Sequence, residues 1–266
     1  MLPVTSTANS SEGRSNSVQS LTRAFDLLEH MADAGGEIGI TDLAKVSGLP
    51  LPTIYRLLRT LVNGGYVRQG TSRRYALGPR LIRLGEGAGV ALGYQAKPYL
   101  VALAEATGET ANMAILDGNE VVYVAQAPSK HSMRMFTEVG RRVHVHCTGV
   151  GKVMLAQLPQ EQTLAIIQRT GLPAFTPATI TDSSALLSQL EQIRRQGFSV
   201  DEGEQEVGVR CFAVPIAGVP SRSALSVSGP SSRMNDEARA TIIPLMIKAA
   251  TQISSAMVNQ SQDSTA

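Results

Sequence analysis

Tryptophan is absent from this chain of 266 residues, and Phe, Tyr and Trp together make up only 4% of it. Proteins that bind single-stranded nucleic acid regardless of sequence stack the bases on aromatic side chains. Such a stacking platform is therefore not expected here. The hydrophobic fraction of 43% still suffices for ordinary cores, and the length suggests about two domains.

Cysteine is also scarce, and long apolar runs are missing. Two cysteines argue against a disulfide scaffold and indicate a reducing compartment. The first sixteen residues lack the apolar run of a signal peptide, and no uninterrupted apolar stretch approaches the roughly eighteen residues that span a bilayer. We expect a cytoplasmic protein without a membrane partner.

Acidic residues are missing from one segment of the chain. Leu49 to Leu84 contains seven arginines and no Asp or Glu, whereas the remainder has 17 of the 24 basic residues and all 22 acidic ones. This asymmetry predicts a small basic module joined to a mildly acidic one. A polyanionic partner would explain the basic module, although a solvated charged face would have the same composition.

The amino-terminal part of the chain has the pattern of three helices. The apolar residues at helical spacing in the first are Val18, Leu21, Phe25, Leu28 and Met31. A second helix begins with Thr41 as its N-cap and ends at Gly48, and after an LPLP turn a third ends at Gly64 and Gly65. Two helices joined by a tight turn form a helix-turn-helix.

The third helix and the segment after it predict a DNA-binding surface. The apolar residues on the buried face of this helix are Ile54, Leu57, Leu58 and Leu61. The sequence YVRQGTSRRYALG then predicts two short strands joined by a polar turn, which is a wing. In a winged helix-turn-helix, one helix enters the major groove and wing arginines hold phosphates or a narrow minor groove.

The candidate DNA-binding residues are Thr41, Pro52, Thr53, Tyr55, Arg56, Arg59, Arg73 and Arg74. The expected partner is double-stranded operator DNA. A winged helix that binds another protein is the alternative, but such a module would not need seven arginines without a counter-charge.

The rest of the chain predicts an α+β fold with a mainly antiparallel sheet. Pro79 begins a linker helix, a hairpin turns at Asp117-Gly118, a strand pair spans Met133 to Val145 with a break at Gly140, and Asn235 caps the last helix. The predicted domains, by residue number, are a disordered tail 1–16, a DNA-binding domain 17–78, a linker helix 79–94, a second domain 95–258 and a disordered tail 259–266.

Several motifs resemble one family. SVQSLTRAFDLLEHMA, LPTIYRLLRTLVNGGYV and RRYALGPRLIRLG are similar to the DNA-binding half of the IclR family of bacterial transcriptional regulators. HCTGVGKVMLAQLP, GFSVDEGEQEVGVRCFAVPI and LSVSGPSSR are similar to its effector-binding half, and ETANMAILDGNE and SMRM are most similar to the glyoxylate-responsive repressors of the allantoin pathway. The resemblance implies a dimeric or tetrameric regulator whose second domain is GAF-like and binds a small organic acid.

The resemblance also implies which residues hold the acid. They are Gly149, Val150, Asp201, Cys211, Ser226 and Ser228. Val150 stands where glyoxylate-responsive members usually have alanine, and the loop between Ile216 and Ala224 is about two residues shorter than the family pattern.

The residue chemistry agrees with this assignment. Gly149 begins a helix whose first amides suit a carboxylate, and Ser226 and Ser228 point the same way from one strand. Asp201 can accept from a hydroxyl or a hydrated aldehyde, and Cys211 is a small soft residue whose covalent capture of an aldehyde would require a lowered thiol pKa.

The stretch HVHCTGVGK allows other chemistry. GVGK lacks the spacing and the Ser/Thr of a phosphate-binding loop. His144 and His146 share one strand face while Cys147 points to the other, so the three do not converge on one zinc ion or form a nucleophile with its base. A zinc site made from His146 and distant groups stays open, as does a structural hydrogen bond from that ring. We expect no metal, no cofactor and no catalytic residue.

These observations predict a transcriptional repressor whose operator binding is modulated by a small organic acid, such as glyoxylate or a related metabolite of allantoin or purine catabolism. Two alternatives stay open at this point. One is a family member that regulates aromatic-acid or glycerol catabolism. The other is an enzyme with a DNA-binding appendage, using Cys211 or Asp201 catalytically.

Overall fold

The computed structural model describes residues 18–135, 137–219 and 222–263. The predicted tail 1–16 and the last three residues lie outside the described part. The chain divides into two compact units, Met1–Gly87 and Ala88–Ala266.

The first unit contains three helices and a short hairpin, and it ends within a fourth helix. In order, these elements are α1 (Gln19–Asp33), α2 (Ile40–Ser47), α3 (Leu51–Asn63), β1 (Val67–Gln69), β2 (Tyr75–Leu77) and α4 (Arg80–Leu92). The antiparallel strands β1 and β2 form the predicted wing. Ile38 extends the hairpin, because it exchanges backbone hydrogen bonds of 2.8 and 2.9 Å with Tyr75.

The core of the first unit lies between the three helices and the wing. Leu27 and Met31 of α1 are buried beside Ile54 and Leu58 of α3. The predicted buried face of α3 is thus confirmed. The face of α1 differs, since Val18, Leu21 and Phe25 are 58%, 55% and 62% exposed.

The first helix of the helix-turn-helix begins two residues earlier than its sequence predicts. Gly39, not Thr41, is the N-cap of α2, and Thr41 lies exposed in the first turn. The prediction of Thr41 as the N-cap was wrong, because the chain enters the helix from the extended Gly39. The Gly39 carbonyl accepts from the Leu43 amide at 2.9 Å. Gly48 ends α2 in the left-handed backbone conformation, with φ of 65°, which glycine adopts without steric strain.

The second unit is built on one sheet with helices on both faces. After a short 3₁₀ turn, Tyr94–Ala96, its elements are α5 (Lys97–Thr107), β3 (Thr110–Asp117), β4 (Glu120–Ala127), β5 (Arg142–His144), α6 (Gly149–Leu155), α7 (Gln160–Thr170), α8 (Ser183–Gln196), β6 (Ser199–Asp201), β7 (Val209–Ile216), β8 (Ser223–Pro230) and α9 (Asp236–Asp263). The six strands pair in the order β5-β4-β3-β8-β7-β6, and each described pair is antiparallel. The predicted α+β fold is confirmed.

The two faces of this sheet are covered by different helices. One face packs on α5 and α9 through residues such as Met113, Phe212 and Val227. The other packs on α6, α7 and α8 through Ala114, Ala213 and Ala224. Because side chains alternate along a strand, a polar residue two positions away from Ala213 or Ala224 also faces α6, α7 and α8.

Three predictions about strands and helix ends have different outcomes. The hairpin turning at Asp117-Gly118 is confirmed. The strand pair from Met133 to Val145 is wrong, because only Arg142–His144 pairs with β4, while described residues before Gly140 lie in loops. Helix α9 is capped by Asn235, whose Oδ1 accepts from the Ala238 amide at 2.8 Å, and it continues into the stretch that was predicted as a tail.

Helix α9 is long and apolar enough, by length and composition alone, to cross a membrane between Asp236 and Val258. Its apolar residues Ile242, Met246 and Ile253 are buried in the core under the sheet. In all, 33% of this window is buried inside the fold.

Candidate functional site

The exposed face of α3 and the wing border one groove. Tyr55, Arg56 and Arg59 are exposed on α3. They line a cavity of about 390 Å³ together with Val62, Gln69 and Tyr75. Pro52 is exposed in the first turn of α3 and Thr53 is half-buried beside it. The groove therefore offers two guanidinium groups and a phenol to an anionic partner.

The two arginines of the wing turn are not equivalent. Arg73 is exposed and adopts a left-handed backbone conformation, with φ of 57°, which is uncommon for a residue other than glycine. Arg74 donates to the carbonyl of Glu37 from Nε at 3.3 Å and from Nη2 at 2.9 Å. The Arg74 guanidinium thus secures the wing to the body of the unit.

Glu37 is an acidic residue that lies under this basic wing. Its carboxylate accepts from the Ser72 hydroxyl at 3.1 Å and stands 3.9 Å from a nitrogen of Arg68. With the carbonyl bond to Arg74, this one residue contacts strand β1 and the turn that follows it.

In the second unit, the pairing of three strands places four of the predicted effector residues side by side. Asp201 pairs with Cys211, Cys211 pairs with Ser228, and Ser226 lies two residues before Ser228 on the same face. All four are 5% exposed or less. They form a buried polar patch on the sheet face that is otherwise apolar against α6, α7 and α8.

The first residue of α6 closes over this patch. A Cβ placed on Gly149 would stand 3.1 Å from the Cys211 sulfur and 3.3 Å from the Ala213 methyl. Val150 is fully buried, and its side chain belongs to the apolar cluster under α6, α7 and α8. Thr148 caps the helix by accepting from the Gly151 amide at 3.2 Å.

A buried ion pair fixes the loop that follows Asp201. The Lys152 ammonium, fully buried, donates to the Glu204 carboxylate and, at 2.8 Å, to the Val200 carbonyl. The Glu204 amide donates to Asp201 Oδ1 at 2.7 Å, and the Thr179 hydroxyl donates to the Glu204 carbonyl at 2.6 Å. Helix α6, the β6–β7 loop and the loop before α8 are therefore held together beside the patch.

Burial controls the ionisation of the patch. Desolvation raises the pKa of Asp201 to about 7, although the Glu204 amide and the Lys152 charge oppose the shift. Desolvation, with the nearby Asp201 charge, raises the pKa of the Cys211 thiol to about 12. Cys211 is therefore a neutral thiol at physiological pH, which disfavours covalent capture of an aldehyde.

Sequence reasoning missed the continuation of the polar patch onto two further strands. Asn112 of β3 pairs with both Ser226 and Gln126, and its Nδ2 lies 3.5 Å from the Ser226 hydroxyl. Gln126 donates to Asn112 Oδ1 at 3.2 Å and to the Thr137 carbonyl at 2.5 Å. Alternation along TANMAILD could have signalled this, since Asn112 falls between apolar residues that face the other way.

The histidines of HVHC contact each other, Phe175 and Pro173. The rings of His144 and His146 pack edge to face at 5.6 Å, and Phe175 lies 5.1 Å from the His144 ring. His146 Nε2 is 3.0 Å from the Pro173 carbonyl, whereas the Cys147 sulfur donates to the Gln205 side chain at 2.9 Å. Within the described residues, no group of three His, Cys, Asp or Glu side chains could hold a metal ion.

The two units match two domains of known proteins. Residues 20–70 match the IclR helix-turn-helix domain, and residues 89–255 match the domain described as bacterial transcriptional regulator IclR C-terminal. The chain belongs to the IclR family of bacterial transcriptional regulators. It is 38% identical over 243 residues to the transcriptional repressor IclR of Escherichia coli K12, covering 89% of each chain.

The chain is also similar to a second repressor and to a structure solved with a ligand. The HTH-type transcriptional repressor AllR of Escherichia coli K12 is 36% identical over 228 residues, with 82% of this chain and 83% of AllR covered. An IclR homologue from Microbacterium hydrocarbonoxydans, crystallised with 4-hydroxybenzoate, superimposes with a TM-score of 0.79 at 25% identity over 90% of this chain and 99% of its own. The family and these relatives are regulators, so the alternative of an enzyme with a DNA-binding appendage is wrong.

Proposed function

We propose that this regulator is a cytoplasmic repressor that binds operator DNA through α3 and the wing, and that a small organic acid in the buried polar patch weakens this binding. The observation that supports the ligand part is the patch itself. Four polar side chains are buried on a sheet face that otherwise holds an apolar core, and buried polar groups are costly unless they have partners.

For DNA, Arg56 and Arg59 contact base edges or flanking phosphates from the exposed face of α3, and Tyr55 lies beside them. Arg73 projects from the wing turn toward a phosphate or the minor groove. Pro52 and Thr53, at the start of α3, and Thr41, in the first turn of α2, lie where backbone contacts form in helix-turn-helix complexes. Arg74 acts by holding the wing in place.

For the ligand, the carboxylate of the acid lies between Ser226, Ser228 and the Gly149–Val150 backbone. Asp201 and Cys211 contact its other end. The glyoxylate class is favoured because the patch residues are almost fully buried and because even a Cβ added to Gly149 would stand only 3.1 Å from the Cys211 sulfur. A two- or three-carbon acid needs the least rearrangement of such a patch.

A second candidate is an aromatic acid. The neighbour from Microbacterium hydrocarbonoxydans is complexed with 4-hydroxybenzoate and covers nearly the whole chain. An aromatic ring here would require α6 or the loop before α8 to move away from the sheet. The buried Val150 side chain, which packs in the apolar cluster of α6, α7 and α8, would oppose that movement.

The exposed apolar face of α1 supports the proposal of a homodimer. Val18, Leu21 and Phe25 lie on one helical stripe, and burying such side chains against a second copy would remove apolar surface from water. A dimer presents two α3 helices to two half-sites of an operator.

Calorimetry with glyoxylate, pyruvate, allantoate and 4-hydroxybenzoate tests the ligand, and fluorescence anisotropy with an operator fragment tests DNA binding. Ser226→Ala with Ser228→Ala should weaken acid binding at least about tenfold, as expected for two lost hydrogen bonds to a charged group. The exposed Ser231→Ala, at the end of the same segment, is the matched control.

Acid binding and DNA binding must also affect each other reciprocally. The factor by which the acid weakens operator binding should equal the factor by which operator weakens acid binding. Binding of 4-hydroxybenzoate alone would favour the second candidate, and unequal factors would contradict direct coupling of the two sites.

A further inference from the structure

Asp201 is a buried carboxylic acid in the polar patch where we place the effector. It is 4% exposed, and it pairs with Cys211, which pairs in turn with Ser228. Its Oδ1 accepts from the Glu204 amide at 2.7 Å. An anionic effector held by the two serines therefore brings a second carboxylate into the same buried patch.

The charges around Asp201 do not offset that second carboxylate. Every element packed on the patch places a charged or titratable group near Asp201. These groups are Lys152 on α6, Glu204 on the β6–β7 loop, Cys211 on β7, Tyr123 on β4 and Cys147 before α6. Burial raises the pKa values of both thiols and of the Tyr123 phenol, so these three groups are neutral. The Lys152 ammonium is already paired with Glu204.

With Asp201 ionised, the Lys152–Glu204–Asp201 cluster has a net charge of −1. An effector carboxylate would make it −2 in a site from which water is excluded, and two like charges at short range do not both stay ionised in such a site. We infer that Asp201 takes up one proton from solvent when the acid binds, and that its neutral carboxyl group donates a hydrogen bond to the effector. This inference rests on the proposed function, because it requires that an acid occupies the patch.

The proton goes onto the Asp201 carboxyl, and no covalent bond to the effector forms or breaks. Burial already raises the pKa of Asp201 to about 7 before the acid arrives, so the uptake costs little near neutrality. Below about pH 6 Asp201 is protonated beforehand, and the dissociation constant should not depend on its titration. Above about pH 8 each unit of pH should weaken binding by up to about tenfold.

Calorimetric titration of the full chain with glyoxylate, and separately with 4-hydroxybenzoate, between about pH 5.5 and 8.5 tests the inference. For whichever acid binds, we expect a flat region followed by weakening with pH. In HEPES and Tris buffers near pH 8, which differ in ionisation enthalpy, the heats should correspond to uptake of about one proton.

Asp201→Asn mimics the neutral carboxyl in shape and can still accept from the Glu204 amide. This variant should bind with a dissociation constant that is constant across the same pH range. Ser228→Ala is the matched control, because it removes a non-titrating donor. It should weaken binding at every pH while keeping the slope.

Equal wild-type affinity across the range, or a slope that persists in Asp201→Asn, would overturn the proton uptake while leaving the effector site in place. Failure of both acids to bind at every pH would overturn the proposed effector site, and the inference with it. The buffer comparison uses the wild-type chain, so it decides the question even where a variant does not fold.

Discussion

Gly151 lies directly against the backbone of Val145, because a Cβ added to Gly151 would stand 2.2 Å from the Val145 carbonyl oxygen. Gly149, two residues earlier, faces the Cys211 sulfur, where an added Cβ would stand at 3.1 Å. The two glycines of GVGK therefore have different roles. Gly151 lets α6 approach the segment that follows β5, and Gly149 lets the start of α6 lie close over the polar patch.

The variants Gly151→Ala and Gly149→Ala should separate these roles. Gly151→Ala must displace backbone atoms, so we expect a loss of about 1–3 kcal/mol or more in the free energy of unfolding. Gly149→Ala meets side-chain atoms and should cost less stability while weakening acid binding. Urea denaturation and calorimetry on both variants check this, and equal stability losses would contradict it.

The wing arginines should differ in the way they affect DNA binding. Arg73→Gly removes an exposed guanidinium at a position whose left-handed φ suits glycine. We expect undiminished thermal stability, weaker binding to all duplexes, and a salt slope that is smaller by about one. Arg56→Ala should instead cost about 1–3 kcal/mol on the operator alone.

Arg74→Ala provides the comparison for the wing. It breaks the contacts with the Glu37 carbonyl, so it should lower both DNA affinity and the protection of the β1–β2 hairpin in hydrogen exchange. If Arg73→Gly, and not Arg74→Ala, reduced that protection, the roles would be reversed.

Removing one partner of the buried Lys152–Glu204 ion pair should destabilise the protein more than replacing both partners with neutral residues. Lys152→Met leaves the Glu204 carboxylate buried without its partner, and we expect a loss of about 3–5 kcal/mol in the free energy of unfolding. Adding Glu204→Gln should recover a large part of it, because a neutral amide is cheaper to bury. Denaturant unfolding of the single and double variants tests this, and additive losses would count against it.

The apolar stripe on α1 should govern assembly. Leu21→Glu with Phe25→Glu places two charges on the stripe, and we expect sedimentation velocity to show a monomer that binds a single half-site weakly. Ser20→Glu adds a charge on an exposed residue of the same helix and should leave assembly unchanged. A wild-type monomer, or assembly that survives the double variant, would contradict the proposed interface.

Local patterns were sufficient for most of the fold. The α3 stripe, the Asp117-Gly118 hairpin and the helix that starts at Gly149 follow from residue spacing and turn chemistry. The α1 face failed because apolar spacing alone does not show which residues are buried, and Leu21 and Phe25 keep the spacing but are exposed. The failed strand before Gly140 has few apolar alternations, and its described residues are held in loops by contacts such as Gln126 with the Thr137 carbonyl.

The site was only partly predictable, for a different reason. Asp201, Cys211, Ser226 and Ser228 come from motifs that resemble a family, and strand register then brings them together. The Lys152–Glu204 pair joins residues 52 positions apart, and the Asn112–Ser226 contact joins residues 114 apart. Such pairings depend on sheet order, which no local pattern determines.

Strand β8 is buried along its length from Ser223 to Gly229. Ser226 faces the polar patch, while Leu225 and Val227 on either side pack in the core with α5 and α9. Neither face of the strand borders solvent, so a displaced strand must move the side chains packed against it. If the proposed ligand shifts Ser226 by even a fraction of an ångström, the packing under the sheet must adjust, and that packing includes α9, the longest helix in the described part of the chain.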